Sequence, residues 1–109
     1  MSQTYKVLAQ VAPLVTTLTD AYTVPAATSA VISSIVITNR SATPTSYRIS
    51  VAVAGIADAT KQYIAYDIAI GANETQVMVI GVTLATTDVI RVYATLATLS
   101  FNIFGVQNT

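Results

Sequence analysis

The chain has 109 residues and contains no cysteine, no histidine and no tryptophan. Without cysteine, disulfide bonds and thiolate metal sites are excluded. Without histidine, the commonest general base and the commonest metal ligand are absent, so Ser-His-Asp and Cys-His catalytic arrangements are impossible. The four glycines, at 55, 71, 81 and 105, do not cluster into a phosphate-binding loop. These absences remove most familiar catalytic sites.

Charge is also scarce, because charged residues make up only 9% of the chain while apolar residues make up 53%. Five basic and five acidic residues cancel, so the net charge gives no reason to bind nucleic acid or an anionic membrane. Ten charged groups cover the surface of a small domain poorly and protect it weakly against association. We therefore expect other subunits to cover much of this surface; the alternative is an unusually hydrophobic monomer.

Long apolar runs are missing too, and none reaches the roughly 18 residues that cross a membrane. The first six residues, MSQTYK, show no basic segment followed by an apolar core. They predict no signal peptide, and we expect the chain to be made and folded in a cytoplasm.

Abundant Val, Ile, Thr and Tyr predict β-strands, separated by turn residues at regular spacing. This pattern predicts an all-β, single-domain antiparallel β-sandwich over residues 1–109, Ig-like or jelly-roll-like. Eight strands are predicted: Thr4–Val11, Leu18–Val24, Ala30–Thr38, Ser46–Ala54, Gln62–Ile70, Glu74–Val82, Asp88–Thr95 and Leu99–Val106.

Two of these strands, the third and the sixth, are apolar in both phases of the strand alternation. Such a strand is buried on both faces or meets a partner with its second face. Alternation elsewhere assigns residues to the core, and the predicted core residues are Ile49, Val51, Ile64, Ile68, Val92, Phe101 and Ile103.

The carboxylates offer little chemistry because they are scattered singly along the chain. We predict no catalytic residues, no metal site and no cofactor; Asp67 and Asp88 would be the residues to test if the chain were an enzyme. Arg48 and Arg91 are expected to be strand-surface charges paired with Asp67 or Asp88. Six tyrosines leave a carbohydrate platform open as an alternative to tyrosines packed at the core edge.

The connector Asn39–Thr45 lies between the third and fourth strands and contains Asn39-Arg40-Ser41, a formal glycosylation motif. Without a signal peptide the match is expected to be chance. Pro44 disfavours a continuing central ladder, and asparagine tolerates turn geometry, so the segment is predicted to be a hairpin tip. Arg40, Ser41 and Pro44 at this tip are candidate contacts to a neighbouring subunit.

Three stretches carry a resemblance to a known group: AYTVPAATSAVISSIVITNRSATPTSYRISVAVAG (21–55), KQYIAYDIAI (61–70) and DVIRVYATLATLSFNIFG (88–105). In them the chain resembles small β-rich virion structural proteins of tailed bacteriophages. The resemblance includes no catalytic motif.

The resemblance implies a capsid decoration (cement) protein, made in a bacterial host and bound to the major capsid protein, as a homo-oligomer with a trimer favoured. Such proteins use sandwich surfaces and a terminal arm, which here would include Met1, Ser2 and Gln3. The alternative is a tail, baseplate or fibre component that binds a host receptor or glycan.

Overall fold

The structure is a computed structural model that describes residues 2–109. Within these residues the chain forms nine strands and two short 3₁₀ turns. The strands are β1 (Gln3–Val11), β2 (Thr19–Thr23), β3 (Ser29–Asn39), β4 (Thr45–Ala52), β5 (Tyr63–Ile70), β6 (Thr75–Met78), β7 (Val82–Leu84), β8 (Val89–Ala94) and β9 (Leu99–Asn108). The 3₁₀ turns, Val53–Gly55 and Thr60–Gln62, lie between β4 and β5.

The strands form two antiparallel sheets, which confirms the predicted all-β sandwich. The five-stranded sheet has the order β1-β9-β3-β6, and β7 pairs with β3 beyond the end of β6. The four-stranded sheet has the order β2-β8-β4-β5. No helix among residues 2–109 has the length and apolar character needed to cross a membrane.

The predicted sixth strand is wrong as a continuous element, because it is interrupted at residues 79–81 and continues as β7. Strand β3 explains the break. It is irregular between Ile32 and Ser34, and β6 pairs on one side of that irregularity while β7 pairs on the other. The last strand is longer than the predicted Leu99–Val106, since Gln107 and Asn108 belong to β9 and pair with β3 and β1.

The core lies between the two sheets and is built from inward-facing aliphatic residues around Tyr47 and Phe101. These two rings, one from each sheet, meet edge to face with centroids 5.9 Å apart, a favoured aromatic geometry. Of the predicted core, four residues are fully buried and Val51 is half-buried. The buried four are Ile49, Val92, Phe101 and Ile103.

Ile64 and Ile68 were predicted to be core residues, and this is wrong, because they are 41% and 40% exposed. Strand β5 is an edge strand and its register against β4 shifts twice, between Tyr47 and Ile49 and again between Ile49 and Ser50. Each shift breaks the two-residue alternation on which the prediction depended. Ala65 and Ile70 are the β5 residues that enter the core.

Gly105 marks the tightest backbone approach in the five-stranded sheet. It lies in β9 opposite Lys6 of β1 and Ile32 of β3, next to the irregularity in β3. A Cβ at this position would collide with the carbonyl oxygen of Val31 and would lie 3.0 Å from a side-chain carbon of Leu8. Only glycine allows β9 to lie this close to its neighbour.

A matched pair of isoleucine truncations tests the core assignment. Ile49→Val is expected to lower the free energy of unfolding by about 0.5–1.5 kcal/mol, because it removes a fully buried methylene. Ile64→Val is expected to cost less than about 0.5 kcal/mol, since that residue is 41% exposed and lies outside the core. Urea unfolding of both variants measures the difference, and equal losses would contradict the assignment.

A second pair tests the close approach at Gly105. Gly105→Ala is expected to destabilise the fold by about 1–3 kcal/mol, or to prevent folding, because β3 and β9 must separate. Gly81→Ala is the control, since a Cβ there meets nothing within 4 Å, and we expect a change within about 0.5 kcal/mol. Thermal unfolding and soluble yield report both; an undisturbed Gly105→Ala variant would refute the packing argument.

Candidate interaction surface

The outward face of the five-stranded sheet is uncharged, and seven apolar side chains are spread over four of its strands. Register places Val36 beside Val77 on one side and Asn102 on the other, and it places Val106 between Val31 and Tyr5. We call this surface the uncharged face; its apolar members are Tyr5, Val7, Val31, Val36, Val77, Phe104 and Val106.

The polar members of the uncharged face are neutral. They are Ser, Thr, Asn and Gln side chains, and two of them, Gln10 and Asn102, hydrogen bond across strands at 2.8 Å. Among residues 2–109, no charged side chain occupies an outward position of these five strands. Lys6, the one charged residue within them, is in the opposite phase, opposite Gly105.

The edges of the uncharged face are its most accessible parts. Tyr5 in β1 is 76% exposed, and Val77 in β6 is 57% exposed. The valines of central β3 are half-buried by their neighbours. A flat partner would therefore remove apolar surface across the whole sheet, most of it at the two edge strands.

The outward face of the four-stranded sheet has the opposite chemistry. There the Arg48 guanidinium lies between two rings, 4.2 Å from the centroid of Tyr66 and 4.6 Å from that of Tyr93. Asp67 accepts two hydrogen bonds from Arg48, from Nε at 2.7 Å and from Nη2 at 3.3 Å. Tyr63 meets Tyr66 edge to face with centroids 5.0 Å apart. We call these five residues the tyrosine–arginine cluster.

The pKa values around the tyrosine–arginine cluster follow from these contacts. The hydrogen bond to Asp67 raises the pKa of Arg48, so its charge is permanent. Burial, and then the hydrogen bond to Asp58 at 2.9 Å, raises the pKa of the Tyr63 hydroxyl. The cluster is thus a fixed arrangement of neutral rings around one internally neutralised ion pair.

Arg91 is the second arginine of this outward face, and its predicted partner needs correction. Its Nε donates to Asp20 of β2 at 2.9 Å, and its other two nitrogens donate to the carbonyl oxygens of Gly55 and Ile56. The pairing of Arg48 with Asp67 is confirmed. The Asp20 partner follows from the pairing of β2 with β8, which sequence proximity does not reveal.

Asp88 has a structural position of its own. Its two carboxylate oxygens accept the backbone N–H groups of Ala54 and Ala85, each at 2.9 Å. The carboxylate therefore joins the loop after β4 to the turn before β8. Within residues 2–109, no three metal-ligating side chains gather into a group that could hold an ion.

The segment Asn39–Thr45 was predicted to be a hairpin tip, and this is wrong, because β3 and β4 belong to different sheets and the segment connects them. This connecting tip is held against two other turns. Arg40 donates from its backbone N–H to Thr98 and from its guanidinium to the Ala97 carbonyl oxygen, the latter at 3.2 Å. Ser41 accepts the backbone N–H of Asn73 through its carbonyl oxygen, and Pro44 is exposed. This tip lies where β3 ends and β9 begins.

Asn39, the first residue of the formal glycosylation motif, is only 1% exposed. Its side-chain amide donates to the carbonyl oxygens of Thr43 and Gly71, and its side-chain oxygen accepts the N–H of Ser41. The side chain connects two turns from inside the fold and offers no accessible amide for modification.

The predicted terminal arm lies at the other end of the sheet. Ser2 exchanges two backbone hydrogen bonds with Thr109, at 2.8 and 2.9 Å, and Gln3 pairs with Asn108. Residues 2 and 3 are therefore continuous with β1; Met1 lies outside the described residues. Because β9 separates Gln3 from Arg40 by nearly its whole length, the two groups of predicted contacts do not form one site.

Neither surface was predicted as a unit from the sequence. The uncharged face had a signal in the two-phase apolar character of the third strand. The sequence signal for the tyrosine–arginine cluster was weaker, because the cluster combines residues of β8, β4 and β5, and the order of these strands in the sheet cannot be predicted from the sequence. The bulge at Asp67 also places Tyr66 and Asp67 on the same side, against simple alternation.

Tyr47 provides a pH test of the packing between the two sheets. Its hydroxyl donates to Gln76 Oε1 at 2.7 Å, and burial, then the charge of Glu74, raises its pKa. The neutral phenol stabilises the fold fully below about pH 10, the pKa of tyrosine in the unfolded chain. This stabilisation is lost as pH rises through the higher pKa of Tyr47 in the folded chain. Urea unfolding from pH 8 to 11 should show a smaller fall in the free energy of unfolding for Tyr47→Phe than for the original chain. An equal fall in both proteins would contradict the role of Tyr47.

Comparison with protein-family models, characterised proteins and solved structures finds no significant match to this chain. Its function is therefore inferred from the chemistry of the two outward faces. One face is uncharged and mixes apolar with neutral polar side chains, and on the other both arginines are paired with carboxylates.

Proposed function

We propose that this chain is a non-enzymatic structural protein of a tailed-bacteriophage virion, a capsid decoration (cement) protein that contacts neighbouring subunits through the uncharged face. The observation that carries the proposal is the complete lack of outward charge on the five-stranded sheet within residues 2–109. The sequence resemblance to small β-rich virion proteins supports the particle as the place of work.

The composition of the uncharged face favours a protein partner. In monomeric proteins, charged side chains on the surfaces and edges of sheets, especially lysine, prevent association with other chains. Here β1 is an edge strand of nine residues with a single lysine, and its outward residues include Tyr5 and Val7. Burying these side chains against another subunit removes apolar surface from water without stranding a charge.

The size of the uncharged face favours many copies over one isolated pair. Strands of about ten residues are about 33 Å long, and four strands side by side are about 19 Å wide. The face therefore offers roughly 600 Å², somewhat less than the roughly 800 Å² per partner of a standard stable interface. A homo-oligomer, with a trimer favoured, adds contacts at the edges, and repeated attachment to the major capsid protein adds avidity.

The other properties of the proposal follow from the same chemistry. Both arginines of the four-stranded sheet are paired with carboxylates, so this sheet presents no basic strip for nucleic acid. The virion role involves no cofactor, no membrane and no catalysis. Synthesis takes place in the cytoplasm of the bacterial host, and the protein works in the assembled virion.

The alternative is a tail, baseplate or fibre component that binds a host receptor or glycan. The tyrosine–arginine cluster is the observation that favours it, because the exposed ring of Tyr66 beside polar groups suits ligand recognition. Both candidates keep the uncharged face as the contact to the rest of the particle.

Quantitative mass spectrometry of purified particles separates the two candidates. A decoration protein is present in a copy number comparable to that of the major capsid protein. A tail component is present in few copies and its loss abolishes adsorption to host cells. Absence of the chain from purified particles refutes both.

A charge placed on the uncharged face tests the contact directly. Val77→Lys is expected to reduce the oligomer to monomers and to lower its occupancy on particles at least tenfold, because the ammonium group must be desolvated. Sedimentation equilibrium and particle composition measure the two effects.

The matched control is Thr23→Lys, which adds the same charge to an exposed edge-strand position of the other sheet. It should leave both the oligomer and the occupancy unchanged. Equal effects of the two variants, with thermal unfolding confirming that each is folded, would show that the uncharged face is not the contact.

A further inference from the structure

We propose that the tyrosine–arginine cluster (Arg48, Tyr63, Tyr66, Asp67 and Tyr93) is a binding site for a neutral carbohydrate. The site lies on the outward face of the four-stranded sheet, away from the uncharged face. The inference goes beyond the virion role and holds whatever the uncharged face contacts, because the two surfaces share no residue.

The first part of the site is an aromatic platform. Tyr66 is 54% exposed although Arg48 stacks over its ring and Tyr63 meets it edge to face. A ring with two neighbours and this exposure still presents much of its surface to solvent. The C–H face of a sugar ring is apolar and flat enough to pack on such a surface, and the sugar hydroxyls remain at its edges.

The second part is a donor and an acceptor held side by side. Arg48 uses two of its N–H groups on Asp67, and guanidinium has five. Each carboxylate oxygen of Asp67 accepts one of these bonds and has capacity for another, and the residue remains exposed. Adjacent hydroxyls of a sugar both donate and accept, so a paired donor and acceptor beside a ring matches them.

The third part is rigidity. The two rings hold the guanidinium from both sides, so the ion pair is fixed before any ligand arrives. Asp67 adopts a left-handed backbone conformation with φ of 51° inside β5. Aspartate adopts this conformation more readily than most residues other than glycine. At the bulge in β5 it places the Asp67 carboxylate on the same side of the sheet as the exposed Tyr66 ring.

The charges of the site decide the class of ligand. An anionic ligand, such as a nucleic acid, would have to displace Asp67 from Arg48, since the guanidinium is already neutralised. A cationic ligand would need the space between the rings of Tyr66 and Tyr93, which Arg48 occupies. A neutral ligand with hydroxyl groups meets neither obstacle.

The test is a titration of ¹⁵N-labelled protein, followed by amide chemical shifts. The probes are maltotriose, cellotriose and the trisaccharide of N-acetylglucosamine, each to about 20 mM, which covers millimolar dissociation constants. We expect at least one trisaccharide to shift the amides of residues 48, 66, 67 and 93. An oligothymidylate of eight nucleotides is the anionic probe, and we expect it to shift none of them.

Variants separate binding from a purely structural role. Tyr66→Ala is expected to weaken trisaccharide binding about tenfold or more, whereas Tyr66→Phe, which keeps the ring, should stay within about threefold. Asp67→Asn keeps a residue that tolerates the left-handed conformation but removes the carboxylate, and we expect a several-fold loss. Tyr5→Ala, which removes an exposed tyrosine from the uncharged face, is the matched control and should bind as the original chain does.

Three outcomes would overturn the proposal. No shift with any of the three trisaccharides is one, and a stronger response to the oligothymidylate is another. The third is binding that survives in a folded Tyr66→Ala variant. Each is independent of particle composition, so failure here leaves the decoration proposal standing, and failure of that proposal does not affect the titration.

Discussion

Strands β3 and β9 pair at ten registered positions, from Ser29 with Asn108 to Asn39 with Leu99. This ladder is the centre of the five-stranded sheet, since β1 is added to one side of it and β6 and β7 to the other. It depends on Gly105, where no side chain fits between the two backbones. The ladder also carries Ile35, Ile37, Phe101 and Ile103 into the core, so packing against the second sheet requires the same register.

The same register determines what the protein presents to its surroundings. Phe101 and Ile103 of β9 face the core. Because side chains alternate along a strand, Asn102, Phe104 and Val106 face outward, beside the outward residues of β1 and β3. None of these is charged. The charged strand residues are concentrated on the four-stranded sheet, where both arginines find carboxylates on neighbouring strands. The sandwich therefore has one face suited to association and another whose charges are already satisfied.

Alternation in the sequence predicted the fold class and nearly all strand positions, because a two-residue period is a local property. It failed where the partner strand decides the outcome. Ile64 and Ile68 left the core because β4 and β5 pair with two register shifts. The predicted sixth strand divided because β3 is irregular opposite it. Arg91 pairs with Asp20, which is 71 residues away in the chain, and Tyr66 of the edge strand β5 contacts Arg48 of β4. Neither contact could be predicted from neighbouring residues in the sequence.

The two surfaces are compatible because they lie on opposite sides of a thin molecule. The shortest extent of the chain is 19 Å, close to two packed sheets with their outward side chains. A flat partner on the five-stranded sheet leaves the four-stranded sheet facing away from it. Attachment through the uncharged face would then orient the tyrosine–arginine cluster toward solvent in every copy. A weak neutral ligand bound at each cluster would gain from the number of copies displayed, so that avidity replaces the affinity a shallow aromatic platform lacks.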